Sequence, residues 1–183
     1  MSLTNRQLRL QSRPKGLLAP GDLELVESPV PELKDGQALA QVKYLSIDPT
    51  MRVWMAADSY LPAVAIGEVM RAGGFAEVVE SHHPGYKKGD RVTGLTGLQE
   101  YVIIDSSAKH FLQKVPKIPF VSDTVFLGVL GMNGLTAFFG MEIAAPEERR
   151  NPRGLRGRGR HRQHRWPNWE DSWLPGRWHC RHR

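Results

Sequence analysis

The segment Asp48-Pro49-Thr50-Met51-Arg52 brings a carboxylate, a hydroxyl and a guanidinium into one short stretch. It follows the clearest predicted strand, Ala38 to Ile47, at the point where a loop leaves the sheet. A guanidinium in such a loop can pair with a phosphate or a carboxylate, which makes Arg52 a candidate anion-binding residue. The same spacing also suits a structural turn in which Asp48 caps backbone N–H groups, and the residue types by themselves favour that turn.

Two other patterns contain residue types that do chemistry, but their spacing does not support a site. His82 and His83 are adjacent, so their side chains point apart in a strand, and no Cys or further His lies near them to complete a zinc site. The stretch Gly128–Gly134 is rich in glycine but does not read G-x-G-x-x-G after a strand. The sequence therefore predicts neither a metal centre nor a phosphate loop here.

Residues 151–183 have a different composition from the rest of the chain. They hold nine of the 25 Lys and Arg residues, two of the 19 acidic residues and four of the five Trp, and they account for the net charge of +6. The basic run Gly157–Arg162, followed by Trp166 and Trp169, has the residue types that contact phosphates and stack on bases. One hypothesis is a nucleic-acid-binding arm, and the alternative is a segment that was never selected for a function.

Composition excludes several classes of protein. A single cysteine, Cys180, excludes a fold held together by intrachain disulfides. The stretch Met1 to Lys15 is polar and lacks the apolar centre of a signal peptide. The longest strongly apolar stretch, Val125 to Met132, is far shorter than the roughly 20 residues that span a bilayer. These features predict a soluble, cytoplasmic protein without a membrane partner.

Short alternating runs separated by Gly and Pro predict a small all-β barrel. The predicted strands are Asn5–Arg13, Leu23–Glu27, Ala38–Ile47, Val78–Val79, a strand that follows the turn Lys87–Asp90, and Gln99–Ile104. The pattern changes at Ser122-Asp123, which are good N-cap residues, and an apolar helix is predicted over Leu135–Met141.

Several of these stretches, taken in order, resemble one known family. They are Pro29–Gly36, Leu45–Pro49 with Met51-Arg52, Ile66–Arg71, Val78–Ser81, Lys88–Val92 and Leu127–Ala137. Residues 1–145 resemble the N-terminal half of the zinc-independent medium-chain dehydrogenase/reductases. Within that group they are most similar to the NADP-dependent prostaglandin reductase, leukotriene hydroxydehydrogenase and 2-alkenal reductase family.

The resemblance implies a mainly β fold, a GroES-like β-barrel with a few helices, over residues 1–145. Where zinc-dependent relatives place Cys and His ligands, this chain has Ser46 and Gly67-Glu68, which implies a metal-free mechanism. The implied reaction is hydride transfer from NADPH to the C=C bond of an α,β-unsaturated carbonyl compound, a bulky enone, a quinone or an alkenal.

The resemblance also implies roles for individual residues. The implied cofactor-binding residues are Pro49, Thr50, Met132 and Thr136, and the implied substrate-binding residues are Arg52 and Tyr60. Relatives often carry Tyr where this chain has Thr50, a departure that removes one aromatic hydroxyl. No catalytic residue is assigned, because the family's Tyr near the reacting oxygen comes from its second, Rossmann half.

The family continues after Pro146-Glu147-Glu148 into a Rossmann domain, whereas here an Arg- and Trp-rich tail over residues 146–183 follows. If one base is dropped near Arg149, synonymous codons permit a reading with a strand, a Gly/Ala-rich turn, a helix and a second strand. Trp has a single codon, so each Trp of the tail becomes Gly in that reading. The hypothesis is a frameshift, in the gene or in its sequencing, that leaves a disordered tail and no Rossmann domain.

Two function classes follow. The first is a truncated NADP-dependent reductase that does not bind the cofactor and is inactive as this chain alone. The second is a non-enzymatic barrel whose basic tail binds nucleic acid without sequence specificity. In either case the apolar segment Val125–Met141 is predicted to be exposed and to favour self-association.

Overall fold

A computed structural model of the chain describes residues 3–105 and 112–144. The strands are β1 (Thr4–Leu10), β2 (Leu23–Pro29), β3 (Ala38–Ser46), β4 (Gly73–Ser81), β5 (Arg91–Leu95), β6 (Tyr101–Ile104) and β7 (Gln113–Val115). The helices are α1 (Thr50–Ala56), the 3₁₀ helix Asp123–Leu127 and α2 (Met132–Ala144). The chain divides into two compact units, residues 1–137 and residues 138–183, and the second is described only as far as Ala144.

The strands form two antiparallel sheets. One contains β1 and β2, and the other has the order β6-β3-β4-β5-β7. The long central pair β3–β4 has register shifts between Leu39 and Ala40 and between Val42 and Tyr44. Such irregularities bend a strand, as closure of a sheet requires.

The edge of β1 that faces away from β2 bonds to the segments that lead into β4 and β6. Leu8 N–H donates to the Leu98 carbonyl at 2.9 Å, and Met70 N–H donates to the Leu8 carbonyl at 2.8 Å. Leu10 N–H donates to the Glu68 carbonyl at 3.0 Å. These bonds satisfy the edge of β1 and close the barrel on that side.

Two apolar clusters form the core. One lies inside the five-stranded sheet, where Val78 and Val92 have almost no exposed surface. The other joins β1 to α1 and includes Leu10 and Met70, both fully buried. Truncating a side chain of this kind to Ala costs about 2–5 kcal/mol, so the second cluster fixes α1 on the barrel.

The mainly β fold predicted from sequence is confirmed, as are the positions of most predicted strands and of the apolar helix. Ser122 accepts a hydrogen bond from Thr124 N–H at 3.3 Å and so acts as the predicted N-cap. The two-residue strand predicted at Val78–Val79 belongs to the longer β4. The short strand β7 was missed because its residues, Gln113–Val115, show no apolar alternation.

The predicted boundary at residue 145 and the predicted disordered tail lie outside the described residues. Within residues 3–105 and 112–144, no helix has both the length and the apolar character needed to cross a membrane.

Candidate functional site

Helix α1 is the element that positions the residues after β3. The structural turn predicted with an Asp48 side-chain cap is wrong in its detail: Pro49 is the N-cap residue and no side chain caps the helix. The backbone carbonyl of Asp48, not its carboxylate, accepts from Met51 N–H at 3.0 Å. Met51, Trp54 and Met55 are buried, and their spacing of three and four residues gives α1 one apolar face.

Thr50 and Tyr60 form an exposed hydroxyl pair at the start of α1. The Thr50 Oγ1 and the Tyr60 hydroxyl are 2.8 Å apart, and either oxygen can be the donor. The Tyr60 ring packs edge-on against Trp54, with ring centroids 6.2 Å apart. The phenol is therefore fixed at both ends, although 71% of Tyr60 is exposed.

The loop that carries Tyr60 is itself held in place. The Asp58 carboxylate accepts from Ala63 N–H at 2.8 Å, which closes the loop on itself. Val64 N–H donates to the Trp54 carbonyl at 2.8 Å, which brings the end of the loop back to α1. Two contacts of Tyr60 itself and two hydrogen bonds of its loop thus hold the ring at the surface beside Thr50.

The Arg52 guanidinium points to the loop between β1 and β2. Its Nη2 donates to the Pro14 carbonyl at 2.7 Å and to the Gly16 carbonyl at 3.0 Å. Arg13 of that loop bonds back to α1, since its Nη1 donates to the Met55 carbonyl at 2.6 Å. These bonds give Arg52 a structural role, and its contact with substrate stays a prediction.

Met132 and Thr136 lie on the first turns of α2. The Thr136 hydroxyl donates to the Met132 carbonyl at 2.8 Å, while 76% of Met132 is exposed. A Cβ atom at Gly131 or Gly134 would overlap the carbonyl oxygens of Phe126 and Val129, respectively. The glycines therefore allow the close backbone approach at which α2 begins.

The 3₁₀ helix before α2 is anchored on the barrel by one stack and one ion pair. Phe126 stacks on Phe75 of β4, with centroids 6.1 Å apart and planes 12° apart. Arg91 Nη1 is 2.5 Å from Asp123 Oδ1, and both side chains are largely shielded from solvent.

The Thr50–Tyr60 pair and the Met132–Thr136 pair both lie toward one end of the β3–β4 pair. Tyr44 and Ser46, at the end of β3 that leads to Thr50, pair with Phe75 and Gly73. Phe75 also stacks on Phe126 of the 3₁₀ helix, and this helix leads directly into α2. The start of α2 therefore lies near the same end of the β3–β4 pair. Among the described residues, no hydrogen bond, ion pair or ring contact joins Thr50 or Tyr60 directly to Met132 or Thr136.

The side chains of His82 and His83 contact residues close to them in the sequence. His82 Nε2 is 3.8 Å from Glu80 Oε1, and His83 Nδ1 accepts from Gly85 N–H at 2.9 Å. The described part of the chain contains no group of three or more His, Cys, Asp or Glu residues that could hold a metal ion.

Residues 6–114 match the family model of the N-terminal domain of oxidoreductase. The chain belongs to this oxidoreductase family. The match covers all of the barrel from β1 to β7 apart from its first and last residues.

The relatives of this oxidoreductase domain include named reductases. The chain is 43% identical over 146 residues to the NADPH-dependent curcumin reductase of Escherichia coli, which covers 79% of the chain and 41% of that relative. It is 33% identical over 153 residues to the NADP(+)-dependent 2-alkenal reductase of Nicotiana tabacum, covering 80% of the chain and 43% of that relative.

Solved structures agree with this family assignment. The crystal structure of CurA from Vibrio vulnificus superposes with a TM-score of 0.65 at 36% identity, covering 75% of this chain and 40% of that one. A second CurA structure, in complex with NADPH, gives a TM-score of 0.64 at 36% identity, over 74% and 40% of the two chains. This oxidoreductase chain thus spans about two fifths of the length of these relatives.

The described residues fit only part of a nicotinamide cofactor. The exposed hydroxyl pair and the exposed apolar Met132 suit the uncharged dihydropyridine carboxamide of NADPH. The pyrophosphate is usually bound by a Gly-rich turn between a parallel strand and a helix, whereas every strand pair within residues 3–105 and 112–144 is antiparallel.

Trp54 and Arg71 were not recognised from the sequence as site residues. The guanidinium carbon of Arg71 lies 5.3 Å from the Trp54 ring centroid, and the same indole contacts the Tyr60 ring. The available signal was the helical spacing of Met51, Trp54 and Met55, which places the indole on the buried face of α1.

Proposed function

We propose that this chain supplies the substrate-binding wall of an NADPH-dependent reductase acting on the C=C bond of α,β-unsaturated carbonyl compounds. The observation that carries the proposal is the exposed Thr50–Tyr60 hydroxyl pair, fixed by Trp54 at the start of α1. The names of three relatives support the substrate class: a curcumin reductase, a 2-alkenal reductase and a (+)-pulegone reductase.

The hydroxyl pair has the chemistry that such a reduction needs. When bound, the nicotinamide supplies hydride to the β-carbon, and negative charge then develops on the carbonyl oxygen. Only one of the two hydroxyl protons is used in the Thr50–Tyr60 bond, whichever oxygen donates. The other proton is free to hydrogen-bond the substrate oxygen, and that bond strengthens as charge accumulates.

The remaining site residues take complementary places in this proposal. Pro49 and Thr50 face the cofactor from the barrel side, and Met132 and Thr136 face it from the start of α2. Tyr60 contacts the substrate, and Arg52 holds the wall by binding the loop of Pro14 and Gly16. No metal takes part in the proposed reaction.

We also propose that residues 149–183 are read out of frame, and that this chain by itself neither binds NADPH nor reduces an enone. The codon argument supports this proposal, because the four Trp codons of the tail become Gly codons after a one-base shift. Sequencing the genomic DNA across codons 146–152 tests it directly. An uninterrupted frame there would refute the frameshift.

The experiment that tests the proposed function compares two proteins. One is the chain as it stands, and the other is expressed from the same gene with one base removed at codon 149. Each is mixed with NADPH and benzalacetone, while NADPH absorbance is followed and the product is identified by mass spectrometry and NMR.

We expect C=C reduction only by the frame-restored protein. Micromolar NADPH binding by the unaltered chain would contradict its proposed inactivity. Reduction of the carbonyl instead of the C=C bond, or no reduction by a folded frame-restored protein, would contradict the proposed reaction.

A further inference from the structure

Arg71 is a cation held in place without a carboxylate partner. Its Nη1 donates to the Pro62 carbonyl at 2.9 Å, and its guanidinium lies against the Trp54 ring. None of the four ion pairs formed within the described ranges includes Arg71. The side chain is half-buried, so it is only partly screened by solvent.

The free donors of Arg71 have the geometry of an anion site. Since Nη1 is bonded to Pro62, the edge formed by Nε and Nη2 carries no hydrogen bond to any described residue. Two parallel N–H groups on one edge of a guanidinium match the two oxygens of a carboxylate.

A second unpaired donor lies beside this cation. Trp54 Nε1 is buried and has no hydrogen-bond partner among the described residues. Buried N–H groups are almost always paired, so the indole of Trp54 keeps an unused hydrogen-bond donor next to the guanidinium.

These donors are continuous with the proposed carbonyl site. Arg71 lies against Trp54, Trp54 contacts the Tyr60 ring at 6.2 Å, and Tyr60 bonds Thr50 at 2.8 Å. Arg71 is also two residues from Gly73, which pairs with Ser46 at the end of β3 that leads to Thr50. The Trp54 indole thus contacts both the guanidinium and the Tyr60 ring.

We propose that Arg71 forms an anion subsite that binds a carboxylate of the substrate, with Trp54 as its floor. This inference rests on the proposed function and narrows it: the substrates are unsaturated oxo-acids, with the carbonyl at Thr50–Tyr60 and the acid at Arg71. A neutral enone fills the same wall but leaves the guanidinium without a partner.

The test uses the Trp54 indole N–H as a reporter in two-dimensional ¹H–¹⁵N NMR spectra of the chain. The resonance is assigned with Trp54→Phe, which separates it from the other four Trp residues. The probes are 3-benzoylpropanoate, a saturated oxo-acid that cannot alkylate Cys180, and its methyl ester. Inorganic phosphate is titrated separately to detect binding of any anion.

We expect the acid to shift the Trp54 resonance saturably and more tightly than the ester does. Arg71→Met keeps the apolar stem over the indole, and we expect it to weaken binding of the acid by about tenfold or more without affecting the ester. Arg71→Gln serves as a second variant if Arg71→Met does not fold, and Arg9→Met on β1 is the matched control.

Equal affinities for acid and ester, an unchanged acid affinity in folded Arg71→Met, or no binding of the acid would overturn the subsite. Binding of phosphate as tight as that of the acid would overturn the assignment to a substrate carboxylate. Failure of the frame-restored protein to reduce benzalacetone is a separate result, because it tests the reaction and leaves the preference for acid over ester intact.

Discussion

The Thr50 hydroxyl lies 2.8 Å from the Tyr60 hydroxyl, across ten residues of sequence, and the Tyr60 ring packs edge-on against Trp54. Thr50 is the first residue of α1, and Tyr60 lies in the loop that follows this helix. The two hydroxyls can meet only because that loop folds back onto α1. The Val64–Trp54 backbone bond provides this return.

Removing either hydroxyl tests the role of the pair. In the frame-restored protein, we expect Tyr60→Phe and Thr50→Val each to lower kcat for benzalacetone by about tenfold to a hundredfold, since one hydroxyl donates to the developing oxyanion and the other holds it in place. Tyr60 is exposed and Thr50 is only half-buried, so the free energy of unfolding should change by less than about 1 kcal/mol. A double variant no slower than either single variant would show that the hydroxyls act as one unit, and unchanged rates in both would exclude the role.

The Arg52 bonds to the first long loop predict a stability effect. Arg52→Met should lower the free energy of unfolding by about 1–2 kcal/mol, because two charge-assisted bonds to the Pro14 and Gly16 carbonyls are lost. Urea titration of the variant measures this loss, and Lys15→Met on the same loop is the control. A loss no larger than that of the control would show that these two hydrogen bonds of Arg52 contribute nothing to stability.

Two glycines of α2 should respond in opposite directions to the same substitution. Gly134→Ala places a Cβ against the Val129 carbonyl, and we expect a destabilisation of about 1–3 kcal/mol. Gly140 has open space around it, so Gly140→Ala should stabilise the helix by up to about 1 kcal/mol. Thermal unfolding followed by circular dichroism compares the pair, and equal shifts of Tm would contradict the close approach at Gly134.

The ion pair of Glu100 with Arg6 should contribute to the loss of folding stability at low pH. A side-chain hydrogen bond from Arg6 holds the pKa of Glu100 below its ordinary value of 4.5. A depressed carboxyl pKa stabilises the fold above the unfolded value, and this contribution is lost as the pH falls through the folded value. We expect Glu100→Gln to reduce the loss of stability between about pH 7 and about pH 3, measured by urea unfolding. Glu32→Gln, at an exposed loop position, should leave that loss unchanged, and an equal effect of both would refute the assignment.

The apolar residues around the start of α2 predict self-association of this chain. Val129 is 70% exposed, Met132 76% and Leu135 52%, which forms an uncovered apolar surface. We expect sedimentation velocity to show oligomers that become fewer in the double variant Val129→Ser/Met132→Ser. The frame-restored protein provides the comparison, and a monomeric unaltered chain at high concentration would contradict the prediction.

The parts of the fold that were predictable from sequence depend on neighbours along the chain. Alternation over Ala38–Ile47 and the N-cap at Ser122 are local signals, and both led to the observed β3 and 3₁₀ helix. Helix α1 was missed because Asp48-Pro49 is typical of a turn and the helix is only seven residues long.

The sequence by itself determined a mainly β barrel and its oxidoreductase family, since periodicity and ordered motifs are properties of the chain. Only the tertiary structure decided what the candidate side chains contact. Arg52 binds the carbonyls of Pro14 and Gly16, and Arg71 lies over Trp54. A long, flexible Arg side chain reaches partners that folding brings near, and no local pattern of residues specifies which partner that is.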